Sequence, residues 1–292
     1  MQHHYDRAAE DLGNIVALEH VNTRIPDQQL ATLFYVSGLG LTRDPYLMTG
    51  TNNMWVNVGR SQFHLPTRKA EVLRGRVGIV LPGRDALLAR LAGVRRPLEG
   101  TRFAFSEHEG YVEAASPWGN VIRCHEPEPR FGPVRLGMPY VELDVPPGAA
   151  EGIARFYREI VGAPAHYADA ERATHVPVGP QQELVYRETE RPIPSYDGHH
   201  VQIYIADFSG PHRRLMERGL ISEESDQHQY RFVDLIDPAS GVVLFQLEHE
   251  VRSMRHPLYA RPLVNRNPDQ SNVDYAPGYD AAQWGEPHAE RA

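Results

Sequence analysis

The sequence contains a single cysteine, Cys124, and a single lysine, Lys69, among 292 residues. One cysteine excludes a disulfide within the chain and is typical of proteins from a reducing compartment. The 30 basic and 38 acidic residues give a net charge of −8, which argues against a nucleic-acid or anionic-membrane surface. No apolar run approaches transmembrane length, and the first residues, MQHHYDRAAEDLGN, contain no apolar signal core. We therefore expect a cytoplasmic protein without a nucleic-acid or membrane partner.

The chain instead contains a long internal repeat. Four stretches combine a strand pattern with a following helical pattern, and they begin with EHVNTRIPD, GRVGIVLPGRD, PYVELDVPP and HHVQIYIAD. In register, these stretches place His20, Arg76, Tyr140 and His200 at one equivalent position. Short strand candidates follow each helix, and a glycine precedes the last strand of each unit. Self-similarity of this length indicates four β-α-β-β-β structural units.

We predict an α+β protein in which these units are paired into two domains. The N-terminal paired domain covers 14–126 and the C-terminal paired domain covers 137–250. The Pro- and Gly-rich stretch EPEPRFGPVRLG (126–137) is the predicted linker. Residues 251–292 form an extended tail or a lid, because Pro257, Pro262 and Pro268 forbid a long helix.

This arrangement resembles the vicinal-oxygen-chelate superfamily, which includes glyoxalases, bleomycin-resistance proteins and ring-cleaving extradiol dioxygenases. The stretches that carry the resemblance are HVNTRIPDQQLATLFYVSGLGL, YVELDVPPGAAEGIARFYREIVGA and the DPASG and SPWGN turns. The resemblance implies that paired units form concave, open-barrel sheets that hold a divalent metal. It also implies that the ligands come from the first and last strands of a unit. Four units in two domains are similar to the ring-cleaving dioxygenases.

Alternation along each strand predicts which side chains point into the concave face. In 199–207, Val201, Ile203 and Ile205 have the parity of residues that pack under a helix. His200, Gln202 and Tyr204 then face inward, and His199 does not. The same argument places the following side chains inward on other strands: His20, Asn22, Gln62, His64, Arg123, His125, Tyr140, Glu142, Asp144, Gln246 and Glu248. So many polar groups on concave faces are costly unless water, a ligand or a metal satisfies them.

Two candidate centres follow from this prediction. The N-terminal cup offers His20 and His64, but Arg76 and Arg123 at its partner positions oppose a divalent cation and suit an anionic group better. The C-terminal cup offers His200 with several carboxylates, a donor set for a borderline or hard divalent metal.

We expect His200 and Glu248 to be the metal ligands in the C-terminal cup, with His20 and His64 as the second-cup candidates. The alternative for His200 is a hydrogen-bonded core histidine. The resemblance to ring-cleaving dioxygenases implies Fe(II), with Mn(II) or Zn(II) as alternatives.

The dioxygenase pattern matches the chain only in part. HQYRFVDLIDPASGVVLFQLE follows its outline and places His228 where the family has its catalytic histidine. The family's first histidine ligand falls on Tyr140, which either ligates as phenolate or abolishes metal binding. Glu248 can act as the family's glutamate only if its strand contains a bulge.

The remaining expectations concern the substrate. Gln202, Tyr204 and Gln246 are predicted to contact it, and the tail is either a solvated segment or a lid that contributes Arg261 and an acid–base histidine, His256. Together with His228 and Tyr140, His256 completes the predicted catalytic set.

The leading functional hypothesis is a metal-dependent enzyme acting on a small oxygenated substrate, specifically an extradiol-type dioxygenase. The alternatives are a glyoxalase-like lyase or isomerase with Glu183 or Glu248 as the proton carrier, and a metal-free small-molecule binding protein. We also expect a homo-oligomer.

Overall fold

The computed structural model describes residues 5–48 and 50–279, and it contains two eight-stranded mixed sheets with few helices. The strands are β1 (Ile15–Asn22), β2 (Thr42–Arg43), β3 (Asn53–Val58), β4 (Ser61–Pro66), β5 (Gly75–Val80), β6 (Ala104–His108), β7 (Tyr111–Ala115), β8 (Val121–His125), β9 (Gly137–Val145), β10 (His166–Ala168), β11 (Ala173–Gly179), β12 (Gln182–Glu188), β13 (His200–Ile205), β14 (Ile221–Asp226), β15 (Gln229–Ile236) and β16 (Val243–Ser253). The predicted α+β class and the four repeated units are confirmed, with Arg76 and His200 both on the first strand of their unit.

One helix follows the first strand of each unit. The helices are α1 (Gln28–Ala31), α2 (Arg84–Gly93), α3 (Ala150–Phe156) and α4 (Ser209–Met216). The chain continues from α1 and α3 as the π-helical segments Thr32–Gly38 and Tyr157–Val161, and short 3-10 turns cover Ala8–Glu10, Pro129–Phe131 and Asp169–Glu171. The Asp27 carboxylate begins α1 by accepting hydrogen bonds from the backbone N–H groups of Gln29 and Leu30. Within the described part of the chain, no helix is both long and apolar enough to cross a membrane.

The sheets pair the units differently from the prediction. The first sheet has the order β14-β15-β16-β13-β1-β4-β3-β2 and joins the first unit to the fourth. The second sheet has the order β10-β11-β12-β9-β5-β8-β7-β6 and joins the second unit to the third. The paired domains predicted over 14–126 and 137–250 are therefore corrected, because β1 pairs antiparallel with β13 and β5 with β9.

The connections between units explain this pairing. The predicted linker, 126–137, joins β8 to β9 inside the second sheet. The crossings between sheets are instead the segments 67–74 and 189–199, which lie side by side, since the backbone N–H of Val72 donates to the Asp197 carboxylate at 2.7 Å. The Glu71 carboxylate ties the first crossing to β1's unit by accepting from the Arg24 backbone at 2.9 Å.

The alternation read from the sequence holds in β13. Val201, Ile203 and Ile205 are fully buried in one continuous hydrophobic core, and α3 contacts strands of both sheets. The helical layer therefore lies between the sheets, and the polar face of each sheet points away from it.

The C-terminal segment begins later than predicted, because β16 continues to Ser253 rather than ending at residue 250. Residues 254–279 have no regular structure but are attached to the first unit. The Asn265 side chain donates to the Gly59 carbonyl and accepts from the Gly59 N–H, both at 3.0 Å, and Arg261 forms an ion pair with buried Asp44 at 2.8 Å. The part of the predicted tail or lid at 280–292 lies outside the described residues.

Candidate metal centre

Three histidines from two distant repeats converge on the polar face of the first sheet. His20 lies on β1, His64 on β4 and His200 on β13, and one ligand nitrogen from each lies within 4.8 Å of the others. The ring of His20 is 5.3 Å from that of His64 and 5.8 Å from that of His200, between centroids. The predicted N-terminal and C-terminal centres are thus parts of one cluster.

Strand register brings these rings together. β1 lies between β13 and β4, and Asn22 on β1 is the direct partner of both His200 and His64. His20 is two residues away from Asn22 on the same strand, so its side chain emerges on the same face. Pairing of the first unit with the fourth is therefore what builds the cluster.

Each ring has a polar partner on its Nδ1 atom. Nδ1 of His20 lies 3.3 Å from the Glu19 carboxylate, and Nδ1 of His200 lies 3.2 Å from the Glu248 carboxylate. Nδ1 of His64 lies 2.7 Å from the side-chain amide nitrogen of Asn22. If His64 binds a metal through Nε2, its Nδ1 atom must carry the proton. Nδ1 then donates a hydrogen bond to the Asn22 side chain, whose amide oxygen rather than its nitrogen must face the ring. Partners of this kind fix the ring orientation of metal-binding histidines and raise their basicity.

The Nε2 atoms of all three rings are buried and without a hydrogen-bond partner. An unsatisfied buried polar group costs about 1–3 kcal/mol, so three of them in one cluster favour an occupant. Burial lowers the pKa of His20 and of His64 well below the usual histidine value, which keeps both rings neutral. Neutral imidazole is the form that binds metals.

Aromatic packing and a backbone irregularity position the cluster. The Trp55 indole on β3 stacks on His64 at 3.7 Å between centroids and meets His20 edge-on at 5.0 Å. The β1–β13 register shifts between Leu18 and His20, which marks a bulge at Glu19. Such a bulge re-aims one side chain, and here both Glu19 and His20 reach the polar face.

Glu250 is a buried acidic residue beside the cluster. It lies on β16 opposite Gln202, and its carboxylate is 3.6 Å from Nε2 of His200. Arg231 and Arg252 hold the carboxylate at 2.5 and 2.6 Å. Despite desolvation by burial, the contact with His200 and the charge of Arg252 hold the pKa of Glu250 far below its usual range. The residue is an anion that balances part of the positive charge beside the histidines.

The donor set fits a divalent metal. Three imidazoles with one carboxylate suit zinc, iron, manganese and similar ions. Gln202 also favours a bound group beside the histidines. Its side chain is 0% exposed, and neither its amide nitrogen nor its amide oxygen has a hydrogen-bond partner. It lies on β13 directly opposite His20 and one inward position from His200. A bound ion with a polar ligand would satisfy all of these atoms.

Tyr140 and Glu248 occupy different places from those expected beside the metal. Tyr140 lies on β9 in the second sheet, where its hydroxyl contacts Nε2 of His125 at 2.9 Å, so it does not join His200. Glu248 is near His200, as expected, but contacts its outer nitrogen, Nδ1, and pairs with Arg231. The carboxylate that approaches Nε2 of His200, at 3.6 Å, belongs instead to Glu250, two residues further along β16.

The other predicted residues are spread over the first sheet and the tail. His228 lies in the β14–β15 turn, where its N–H donates to Asp226, and Gln246 is exposed and bonded to Asp234. The ring of His256 lies 6.3 Å from that of Tyr204, whose hydroxyl donates to Glu19 at 3.2 Å. The roles given to these residues stay predictions.

The equivalent face of the second sheet is filled by ion pairs. Arg76 bonds to Glu142 at 2.9 Å and to Asp144 at 2.6 Å, and Arg187 reaches Glu142 at 3.3 Å. Arg76 therefore does not share a cavity with His20 and His64, contrary to the prediction, because β5 lies in the other sheet. Among the described residues, the three histidines are the one group with metal-binding spacing.

Sequence reasoning missed Glu250 and Glu19. The signal for Glu250 was the same alternation that selected residues 246 and 248, which would have selected Glu250 if it had been followed for two more residues. The repeat also contained it, since His64 lies opposite the residue two positions after His20, and Glu250 lies opposite the residue two positions after His200. The sequence did not indicate that Glu19 reaches the polar face, because the alternation places it on the opposite face and only the bulge turns its side chain towards His20.

No family model matches the chain, and no curated protein matches it in sequence. Solved structures do match its fold. A "putative dioxygenase" from Bacillus subtilis is 14% identical, with a TM-score of 0.54 over 83% of this chain and 86% of that one. Glyoxalase I from Zea mays is 13% identical, with a TM-score of 0.52 over 81% of this chain and 92% of that one. The chain therefore shares its fold with this "putative dioxygenase" and with glyoxalase I.

Proposed function

We propose that the protein is a metal-dependent enzyme of the vicinal-oxygen-chelate type that acts on a small oxygenated substrate. His20, His64 and His200 are the proposed ligands, with Glu250 as the neighbouring anion. The observation that carries the proposal is that one ligand nitrogen from each of the three histidines lies within 4.8 Å of the others, while each ring has a polar partner at Nδ1 and a buried Nε2 without a hydrogen bond. This arrangement does not favour a metal-free binding protein, because an organic ligand does not easily form hydrogen bonds with three histidine nitrogens that lie so close together.

When bound, a divalent ion supplies Lewis-acid polarisation of two substrate oxygens. The protein's own contribution is to fix the substrate beside it. The Gln202 amide offers one donor group and one acceptor group at the centre of the face, and we propose that it orients the chelating oxygens. Trp55 holds the His64 ring in place, and Glu19 and Glu248 keep the Nδ1 protons of His20 and His200 on the outer nitrogens.

Of the reactions known for this fold, the extradiol-type oxygenation is the one we propose. His20, His64 and His200 would hold an Fe(II) ion, which would supply the oxygen chemistry of the non-haem Fe(II) oxygenases. The isomerase alternative needs a free carboxylate base. Glu183 lies on the second sheet, bonded to His175 at 2.9 Å, and Glu248 is paired with Arg231. Fe(II) is accordingly the proposed metal, with Mn(II) or Zn(II) as alternatives.

The proposal is tested by loading metal-depleted protein with Fe(II) under nitrogen and adding a catechol with oxygen. We expect oxygen uptake that matches catechol loss in the wild type and not in His64→Ala. His166→Ala is the matched control, because this exposed histidine stacks on His175 in the second sheet. A fully loaded protein that leaves catechols intact, but isomerises an α-hydroxycarbonyl compound under nitrogen, would establish the alternative reaction.

A further inference from the structure

A cleft of about 500 Å³ lies between the two sheets, and none of the three histidines lines it. Its walls come from β1 and β4 of the first sheet, the β11–β12 turn and the 133–139 stretch of the second sheet, and residues 258–263 of the C-terminal segment. This volume is within the usual range of small-molecule sites, about 300–1,000 Å³. The cleft is therefore large enough for a ligand of its own.

A glutamine side chain from the second sheet holds the walls of the cleft together. The amide nitrogen of Gln182 lies 3.1 Å from the Leu18 carbonyl and 2.9 Å from the Ser61 hydroxyl in the first sheet, and 3.2 Å from the Met138 carbonyl in the second. Its amide oxygen accepts a hydrogen bond from the Leu18 N–H at 3.1 Å. The polar groups between the sheets are thus already bonded to one another, and the walls are in place before a ligand binds.

Most of the remaining lining is apolar. Leu18, Leu136, Met138 and Leu263 are buried side chains in the walls, and Leu258 on the C-terminal segment is half-buried. An apolar chain would remove more of this surface from water, which favours binding by about 25 cal/mol for each Å². The body of the ligand should therefore be apolar.

The charged residues of the lining are three arginines and one glutamate, namely Arg60, Arg135, Arg261 and Glu19. The Glu19 carboxylate is already paired with Arg252, at 2.9 Å. The cleft is therefore positively charged, although the chain as a whole has a net charge of −8.

Two of these arginines have donor groups to spare. Arg135 is exposed, and it forms no ion pair with an acidic residue in the part of the chain that the structure describes. Arg261 uses its Nη2 atom for Asp44, at 2.8 Å, and for Gln62, at 3.2 Å, and its Nε atom is buried without a hydrogen-bond partner. Guanidinium groups bind carboxylates through charge-assisted hydrogen bonds, so these arginines favour an anionic group on the ligand.

We propose that this cleft is a second ligand site, which binds an organic carboxylate with an unbranched apolar chain. The chain lies along the apolar walls, and the carboxylate is bound by Arg135 and Arg261. The inference is independent of the proposed function, because the site requires neither a metal ion nor the three histidines.

The site is tested by isothermal titration calorimetry with straight-chain carboxylates, from butanoate to octanoate, and with 1-octanol. Each buried methylene should tighten binding about fourfold, and octanoate should bind more tightly than the uncharged alcohol. An affinity that is the same across the series, or an alcohol that binds as tightly as octanoate, overturns the proposal.

Variants locate the two ends of the ligand. Arg135→Glu should weaken octanoate binding about tenfold or more and leave 1-octanol unaffected, whereas Arg96→Glu, a control on an exposed arginine outside the cleft, should change neither. Leu258→Trp should abolish the gain from the longer chains, and Met254→Trp, on the same segment but outside the cleft, should keep it. Equal effects of a variant and its control would show that the carboxylates bind elsewhere.

A last variant separates this site from the metal centre, because a carboxylate is also a metal ligand. His64→Ala should bind octanoate as tightly as the wild type, whether or not either protein oxidises a catechol. Loss of octanoate binding in His64→Ala would place the ligand at the metal centre and overturn the second site. Failure of both proteins to oxidise catechols, with octanoate binding unchanged, would overturn the proposed reaction alone.

Discussion

His20 and His200 face each other across the β1–β13 strand pair, with 5.8 Å between their ring centroids, although they belong to the first and fourth repeats. This contact is what turns two partial sites into one. It also makes the centre sensitive to the pairing of the sheets, because His64 and His200 reach it from opposite sides of β1.

Replacement of His200 should remove metal without unfolding the protein. His200→Ala deletes a ligand from the polar face and little hydrophobic packing, so metal affinity should fall by more than the roughly 10–100-fold typical of the groups that support ligands. The measurement is metal content after dialysis, with thermal denaturation alongside.

The control is the neighbouring residue. His199 is fully buried, and its Nδ1 atom lies 2.7 Å from Asp197, away from the cluster. H199A should lower the melting temperature and keep the metal. If the two variants exchanged these behaviours, the facing of β13 would be misassigned.

Glu250 and Glu248 should differ in their effect on metal binding. Glu250→Gln leaves Arg231 and Arg252 without their shared anion beside the three histidines, so a divalent ion would meet uncompensated positive charge. We expect a loss of metal affinity well beyond 100-fold, against about 10–100-fold for Glu248→Gln, which disturbs only the support of His200. Titration of Mn(II) or Zn(II) into each purified variant measures both, and a larger loss in Glu248→Gln would identify Glu248 as the ligand.

The sequence allowed the four repeats, the first strands and the inward-facing histidines to be predicted, because alternation and self-similarity are local properties. The choice of partner units could not be predicted in this way. The first strand of every unit has an edge that can pair with another first strand. No side chain on β1 or β5 indicates which of the other first strands is its partner. His20, His64 and His200 were each identified, but their convergence depends on that choice. Glu250 was missed because the alternation was applied only as far as Glu248, although the predicted strand reached residue 250.

His249 should make the fold sensitive to mild acid. Its ring is fully buried between the sheets, where Nδ1 donates to the Leu247 carbonyl and Nε2 accepts from the Tyr157 hydroxyl, which in turn lies 2.5 Å from that of Tyr186. Burial lowers the pKa of His249 from 6.5 to about 4. The unfolded chain therefore binds this proton below pH 6.5 and the folded chain does not.

The free energy of unfolding is therefore not reduced by His249 above pH 6.5. It decreases as the pH falls from 6.5 towards 4, because only the unfolded chain binds the proton in this range. At about 1.4 kcal/mol per pH unit, His249 should cost the fold about 2 kcal/mol between pH 6.5 and pH 5. Urea denaturation at both pH values should show this loss in the wild type and a smaller one in His249→Gln, which keeps an acceptor for Tyr157. Equal losses in the two proteins would show that His249 does not carry the effect.

The second sheet should bind no metal, so the protein should hold one ion per chain. Its equivalent face has Arg76 and Arg187 in ion pairs with Glu142, and Tyr140 covers the backbone of Gly78, where a Cβ atom would lie only 2.1 Å from the Tyr140 ring. The carboxylate of Glu142 is already paired with two arginines, and the Tyr140 ring fills the space over Gly78. Elemental analysis should give one ion per chain in the wild type and in Tyr140→Phe, and none in His20→Ala, because Tyr140 and His20 hold equivalent places in different sheets. Two ions per chain, or a loss of metal in Tyr140→Phe, would mean that the second sheet takes part in metal binding after all.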